Sequence, residues 1–352
     1  METIILKVDE FKPEQNIAEI EQAAGIIKTG GLVAFPTETV YGLGANALDP
    51  NAVKKIYEAK GRPSDNPLIA HISHISQLYP LVQEILPKAQ RLIDAFWPGP
   101  LTLIFKKTSV IPMETSGGLD TVAVRFPENK VAQLLISKAG VPVAAPSANS
   151  SGKPSPTRAS HVEYDLNGKI DAIIDGGHCE FGLESTIVDV STDTPCLLRP
   201  GSITYGMLSK TVGKINIDKA VVEKLKEGEK PKAPGMKYTH YSPSANVTIV
   251  SGELSSVTEK INQLMAEDIK NGVKTGVIAT VQTENMYSQG EILVIGDRQR
   301  PETIGANLFK MLRKCDFKAI EHVYVEGLEE TELGLAIMNR LKKAAGYDIL
   351  NV

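Results

Sequence analysis

Residues 32–44, Leu-Val-Ala-Phe-Pro-Thr-Glu-Thr-Val-Tyr-Gly-Leu-Gly, set the reading of this chain. Leu32 to Phe35 is an apolar run of strand length that ends at Pro36. Behind it come three hydroxyl or carboxylate side chains, Thr37, Glu38 and Thr39, and then Gly42 and Gly44, which let backbone N–H groups come close to a ligand. A buried strand that delivers a polar loop at its end is how α/β folds place their ligands. Taken alone the stretch is also good turn-forming sequence, so its neighbours must decide.

Upstream, Pro13 and Glu14 open a helix with Ile17, Ile20, Ala24 and Ile27 at helical spacing, and Gly30-Gly31 closes it. Downstream, Asp49-Pro50 starts a helix through Val53, Ile56 and Tyr57 that stops at Gly61. Further strands are expected at Leu68–Ile72, Leu101–Phe105, Val122–Arg125, Val141–Ala145, Ala172–Ile174, Thr186–Val190 and Cys196–Arg199, with helices near 87–96 and 128–138. Strands follow one another irregularly, which predicts a mixed twisted sheet rather than a βαβ repeat. From 209 to 244 periodicity fades and Lys, Glu, Gly and Pro accumulate, as in a linker. Beyond it the alternation is regular: strand 246–250, helix 255–271, strands 275–279 and 291–294, helix 302–316, strand 322–325, helix 330–345. The fold class is therefore α/β, an N-terminal mixed-sheet domain over 1–208 and a smaller three-layer parallel α/β (Rossmann-like) domain over 245–352.

Composition agrees. At 352 residues, with 42% apolar and 23% charged side chains, the chain is an ordinary globular one with room for two cores. It has no apolar stretch long enough to span a bilayer and no signal-peptide pattern, so a membrane role is excluded and the cytoplasm is expected. Cys179, Cys196 and Cys315, sparse and without a CxxC, fit a reducing compartment. A net charge of −4 argues against a surface that tracks a long polyphosphate backbone. Residues 1–208 carry 18 basic and 23 acidic side chains, whereas 209–244 carry 8 and 4.

Four clusters carry candidate chemistry. The 36–44 turn is the first. In the second, Lys60-Gly61-Arg62-Pro63-Ser64-Asp65-Asn66-Pro67, two cations flank a glycine and can converge on one anion, although a basic residue also suits a helix C-terminus. The third is a donor-rich loop at a strand end, Ala144-Ala145-Pro146-Ser147-Ala148-Asn149-Ser150-Ser151-Gly152-Lys153-Pro154-Ser155. It lacks the glycine and Ser/Thr of a P-loop and the glycines of a nucleophile elbow. Isolated polar residues on apolar strands, His71, Thr121, Arg125, Ser185 and Arg199, make the fourth, since a charge buried alone is costly. His71 with His74, or His178 with Cys179, gives no recognisable zinc spacing, so no metal held by protein side chains is expected. The inventory suits a small polyanion such as a nucleoside triphosphate, with a magnesium ion carried on its phosphates.

These motifs resemble a known family. Thr39 within T-E-T-V-Y-G-L, the K-G-R-P-x-x-N-P-L stretch from Lys60, and the S-x-N pair Ser147 and Asn149 are similar to the YrdC/Sua family of L-threonylcarbamoyladenylate synthases. The linker G-M-K-Y-x-H-Y-x-P and the second domain look like its two-domain Sua branch, with Ser242 where alanine is common. The resemblance implies a YrdC-like catalytic domain over 1–208, a linker over 209–244 that covers the active site, and a Sua-type domain over 245–352. It implies a nucleotidyltransferase that joins L-threonine, bicarbonate and ATP into threonylcarbamoyl-AMP and pyrophosphate, for threonylcarbamoyladenosine in tRNA. Lys60, Arg62, Ser147 and Asn149 would form the catalytic tetrad. Thr39, His71, Arg125, Ala145 and Ser185 would hold threonine. Arg62, Asn66, Thr121, Ser147, Ser155, Arg199 and a linker tyrosine, Tyr238 or Tyr241, would meet ATP. Partners would be the three substrates and, transiently, the tRNA threonylcarbamoyl transferase machinery, with tRNA binding weak or indirect. No dedicated general base is legible.

Rival readings are an RNA-binding module, disfavoured by the acidic balance of 1–208 and the lack of an RNP-like aromatic pattern, and a carbamoyl-transfer protein, disfavoured by missing zinc-knuckle cysteines. The C-terminal domain shows no G-x-G-x-x-G, and Glu253 beside Ser251-Gly252 would repel a phosphate.

Overall fold

The computed structural model describes residues 2–222, 233 and 241–352. The chain divides into two compact units, Met1–Ser151 with Ser155–Lys237, and Gly152–Pro154 with Tyr238–Val352.

In the first unit the described strands are β1 (Ile4–Lys7), β2 (Val33–Phe35), β3 (Gly42–Asn46), β4 (Ile69–His71), β5 (Leu101–Lys106), β6 (Thr121–Arg125), β7 (Val143–Ala144), β8 (Ala172–Asp175), β9 (Thr186–Asp189), β10 (Cys196–Arg199) and β11 (Asn216–Ile217). They form one sheet in the order β1-β8-β2-β3-β7-β4-β6-β5-β9-β10-β11. Parallel pairs such as β4 with β6 alternate with antiparallel ones such as β5 with β6, the mixed sheet the sequence predicts. The helices are α1 (Ile17–Lys28), α2 (Pro50–Lys60), α3 (Pro87–Phe96), α4 (Met113–Ser116), α5 (Lys130–Ala139), α6 (Ala159–Leu166), α7 (Tyr205–Val212) and α8 (Lys219–Val222).

Local chemistry explains the elements that frame the site. Asp49 accepts from the Asn51 N–H at the start of α2, Pro50 sits where a missing N–H costs nothing, and Gly61 ends the helix at φ 63°. That left-handed turn sends Lys60 and Arg62 on from the helix end. Asn129 caps α5 through the Ala132 N–H. The core of α1 and α5 buries Val33 and Phe35, while Ala34, Leu43, Ala70, Leu103 and Val124 point to the second core, so strand alternation gives the sheet two covered faces.

Two expectations are corrected. Gly42-Leu43-Gly44, read as turn, is strand β3, paired antiparallel with β2 and β7. A side chain at Gly44 would meet a Phe35 ring carbon and a Val143 methyl at 2.8 Å each, so glycine is needed there for close packing and not for turning. The segment from 209 is also more regular than a linker: α7 runs to Val212, β11 adds to β10 in parallel, and α8 follows.

The second unit contains β12 (Asn246–Ser251), α9 (Leu254–Lys270), β13 (Thr275–Thr280), β14 (Glu291–Gly296), α10 (Pro301–Phe317), β15 (His322–Glu326), α11 (Glu332–Ala344) and β16 (Ile349–Asn351). Its sheet, β14-β13-β15-β12-β16, is parallel throughout. Val257, Ile261 and Met265 of α9 pack on Val250, Val277 and Ala279. The intervening residues Ile249, Ile278 and Val325 are buried on the opposite face, and α10 packs against α11. Three layers and a parallel sheet match the expectation; the short edge strand β16 is additional.

Candidate active site

Register along the sheet puts His71, Arg125 and Thr102 on one face. His71 lies opposite Arg125, and Arg125 opposite Thr102. Arg125 is buried and held by three acceptors: its Nη1 donates to Thr39 Oγ1 at 2.8 Å, its Nη2 to Glu38 Oε1 at 2.7 Å, and its Nε to the Gly99 carbonyl at 3.3 Å. Thr39 Oγ1 also lies 2.9 Å from Thr37 Oγ1. Burial, and then the positive charge of Arg125, lower the His71 pKa to about 3, so its imidazole is neutral at pH 7. Its Nδ1 is 3.1 Å from the Ile69 carbonyl, which also accepts from the Ala145 N–H and so ties the Ala145 backbone to this strand.

Next to it stands a second polar chain. Thr102 Oγ1 is 2.7 Å from Ser185 Oγ, and Arg199 donates through Nη2 to Ser185 Oγ at 3.1 Å and through Nε to the Ser185 carbonyl at 3.0 Å. Ser155 donates to the buried carboxylate of Glu184 at 2.6 Å, which fixes the far end of the 147–155 loop beside Ser185.

The near end of that loop belongs to Lys60. Its Nζ donates to the Ser147 carbonyl at 2.6 Å and to the Asn149 carbonyl, and Ser147 Oγ donates to Asn149 Oδ1 at 2.6 Å. Ser147 also bridges Gly42 of β3, which brings this loop to the 36–44 segment. Arg62 is half-buried and donates through Nη2 to the Pro67 and Asn66 carbonyls at 3.2 and 3.4 Å. Asn66 is buried, its carbonyl also accepting from Tyr57 OH.

Thr121 is set apart. It shares the face of Ala123 and Arg125 but lies four residues along β6, about 13 Å from Arg125 at strand rise. There it lines an open cavity of about 560 Å³ with Lys106, Lys107, Asp120, Ser191 and Thr192. Between the two ends the face is apolar: Ile69, Ile104, Ala123, Ile187 and Leu198 form a small buried cluster that also contains Ala233. Tyr241 is buried in the second unit, its ring 5.1 Å from Phe309, and Tyr238 lies outside the described residues.

The family comparisons bear on this geometry. The profile of the Sua5, YciO and YrdC family, described as "Telomere recombination", matches residues 25–201, and that of "Threonylcarbamoyl-AMP synthase, C-terminal domain" matches 203–346. A threonylcarbamoyl-AMP synthase of Pyrococcus abyssi is 51% identical over 350 residues, spanning 99% of this chain and 100% of its own. The chain belongs to the two-domain Sua5 family of threonylcarbamoyl-AMP synthases. A Bacillus subtilis member is 48% identical, with 95% of each chain covered. The solved P. abyssi Sua5 complexed with L-threonine superposes with a TM-score of 0.94 at 51% identity, covering 99% of this chain and 100% of that one.

Within the Sua5 family reading, the structure brings together Lys60, Ser147 and Asn149 in one bonded group, Thr39 and Arg125 in a second with His71 at the adjacent register position, and Ser185 and Arg199 in a third. Sequence reasoning missed two residues that hold them, Thr102 and Glu184, and named a third, Glu38, within the first cluster without giving it a role. Glu38 and Glu184 stood beside residues already singled out, Thr39 and Ser185. Thr102 left a legible signal, a hydroxyl inside the apolar run Leu101–Phe105. Among the described residues no group of three or more His, Cys, Asp or Glu could hold a metal ion. Glu38 and Glu184 are instead engaged by Arg125 and Ser155. No described helix is long and apolar enough to cross a membrane.

Proposed function

We propose that this chain joins L-threonine, bicarbonate and ATP into L-threonylcarbamoyladenylate, with release of pyrophosphate, as the activating step of threonylcarbamoyladenosine formation in tRNA. The observation that carries the reading is a fixed Arg125 beside neutral His71, together with a buried Lys60 tied to a Ser147–Asn149 loop that bridges Gly42 at the end of the Thr39 segment. It is supported by the family membership and by the threonine complex of the P. abyssi Sua5.

Arg125 offers a fork to the α-carboxylate of threonine, with Thr39, Ser185 and the Ala145 backbone around the side chain and amine. A neutral His71 leaves the amine uncrowded by a second positive charge. N-carboxythreonine and ATP are both anionic, and Lys60 and Arg62 offset their repulsion while Ser147, Asn66, Ser155 and Arg199 hold the phosphates. Holding both reactants in one place supplies much of the rate. A labile carbamate must be kept from water, and the burial of Ala233 against Ile69, Ala123 and Leu198 supports a cover over the face at this position. Thr121, on the open cavity, would meet the outer part of the nucleotide. The donor set, cations and hydroxyls with both buried carboxylates engaged, does not fit a protein-held divalent ion, so magnesium would arrive with the ATP phosphates. The cytoplasm would supply the substrates, and the transferase machinery would take up the product with little direct tRNA contact.

Pyrophosphate release by a Lys60→Ala variant tests this. We expect release from ATP, threonine and bicarbonate to be abolished while Trp97 fluorescence keeps its folded signature; near-normal turnover would refute the assignment.

A further inference from the structure

Glu38 has no part in the chemistry above, yet its charge is buried beside the site. Its side chain is 6% exposed and that of its partner Arg125 is 4% exposed. A buried ion pair adds little stability over a well-packed apolar pair, because both charges must leave water. Its presence therefore calls for a reason other than folding. Glu38 is itself fixed from behind: Oε2 accepts from the Asn129 N–H at 3.4 Å, at the positive end of α5, and its carbonyl accepts from the Phe181 N–H at 2.9 Å. From this anchored position Oε1 takes one Nη2 proton of Arg125. A guanidinium has five N–H groups in a rigid plane, and Glu38, Thr39 and Gly99 account for three. The plane is then set, and among the described residues two N–H groups are left over for a ligand.

We propose that Glu38 is the positioning residue of the amino-acid subsite: it locks the Arg125 plane so that the remaining N–H pair meets an α-carboxylate in register. This deepens the reading above and rests on Arg125 holding the carboxylate. A neutral acceptor at 38 would still hydrogen-bond but would hold the guanidinium less firmly, and the loss should fall on the amino acid, not the nucleotide.

L-threonine and ATP binding are measured separately by calorimetry on full-length wild type, Glu38→Gln, Arg125→Lys and the double variant. Glu38→Gln should weaken threonine about 10- to 100-fold, the range of a charge-assisted hydrogen bond, and change ATP affinity by less than about twofold. Added to Arg125→Lys, the same change should cost threonine less than about twofold, since Glu38 acts through Arg125. Should Glu38→Gln fold poorly, Glu38→Asp keeps the charge and should bind threonine more tightly than Arg125→Lys. Unchanged threonine affinity in Glu38→Gln, equal losses for both ligands, additive losses in the double variant, or Glu38→Asp no better than Arg125→Lys would each overturn the proposal. Wild-type threonine affinity in Arg125→Lys would instead overturn the reading beneath it.

Discussion

Replacing His71 by asparagine isolates a pH-dependent cost of building this face. The His71 pKa is lowered from 6.5 to about 3, first by burial and then by Arg125. The unfolded chain takes up this proton below pH 6.5, whereas the folded chain refuses it until about pH 3. Stability is thus complete above pH 6.5 and falls as the pH drops toward the folded pKa. The slope is about 1.4 kcal/mol per pH unit, which gives a loss of about 2 kcal/mol at pH 5 from this residue alone. Asparagine does not titrate. Urea unfolding followed by Trp97, the only tryptophan and part of the first unit, gives the free energy of each protein. Any fixed cost of the substitution cancels when the difference between the two is plotted against pH. That difference should be flat above about pH 7 and should shift by about 2 kcal/mol in favour of the variant at pH 5. Parallel curves down to pH 5 would refute a neutral, buried His71.

Thr102→Val removes the hydroxyl beside Ser185 Oγ while Arg199 still binds that atom, so the threonine KM should rise about fivefold with kcat within about twofold, the worth of one neutral hydrogen bond; an unchanged KM would remove Thr102 from the site. Serine lacks only the threonine methyl, and a pocket recognises one methyl group by about 10- to 200-fold, so kcat/KM for serine should lie in that range below threonine. Exclusion by several further orders of magnitude would mean that more than a methyl contact reads the substrate.

Elements with strong local signals were legible and the long-range arrangement was not. Helix 87–96 is found with the predicted bounds, because Pro87 opens it and Pro98 stops the chain from continuing. β1 escaped notice because its apolar run, Ile4-Ile5-Leu6, is only three residues long and shows neither strand alternation nor a bounding turn signal. β3 was hidden by its glycines, whose reason for being there is the approach of Phe35 and Val143 from other strands. In the site, Lys60, Arg125 and Ser147 could be picked out as cationic or hydroxyl residues at strand and helix ends. Their partners could not, since the Ser147 and Asn149 carbonyls that hold Lys60 carry no residue-type signal. The Glu38–Arg125 pair spans 87 positions and exists only once the strands are in register.

Whether one cavity truly joins three reactants is read most directly from the fate of carbon. With ¹³C-bicarbonate, threonine and ATP, mass analysis should find a threonine-containing adenylate that carries the heavy carbon, formed one for one with pyrophosphate and lost when any reactant is withheld. An adenylate without the heavy carbon, or pyrophosphate released at full rate without threonine, would contradict the account.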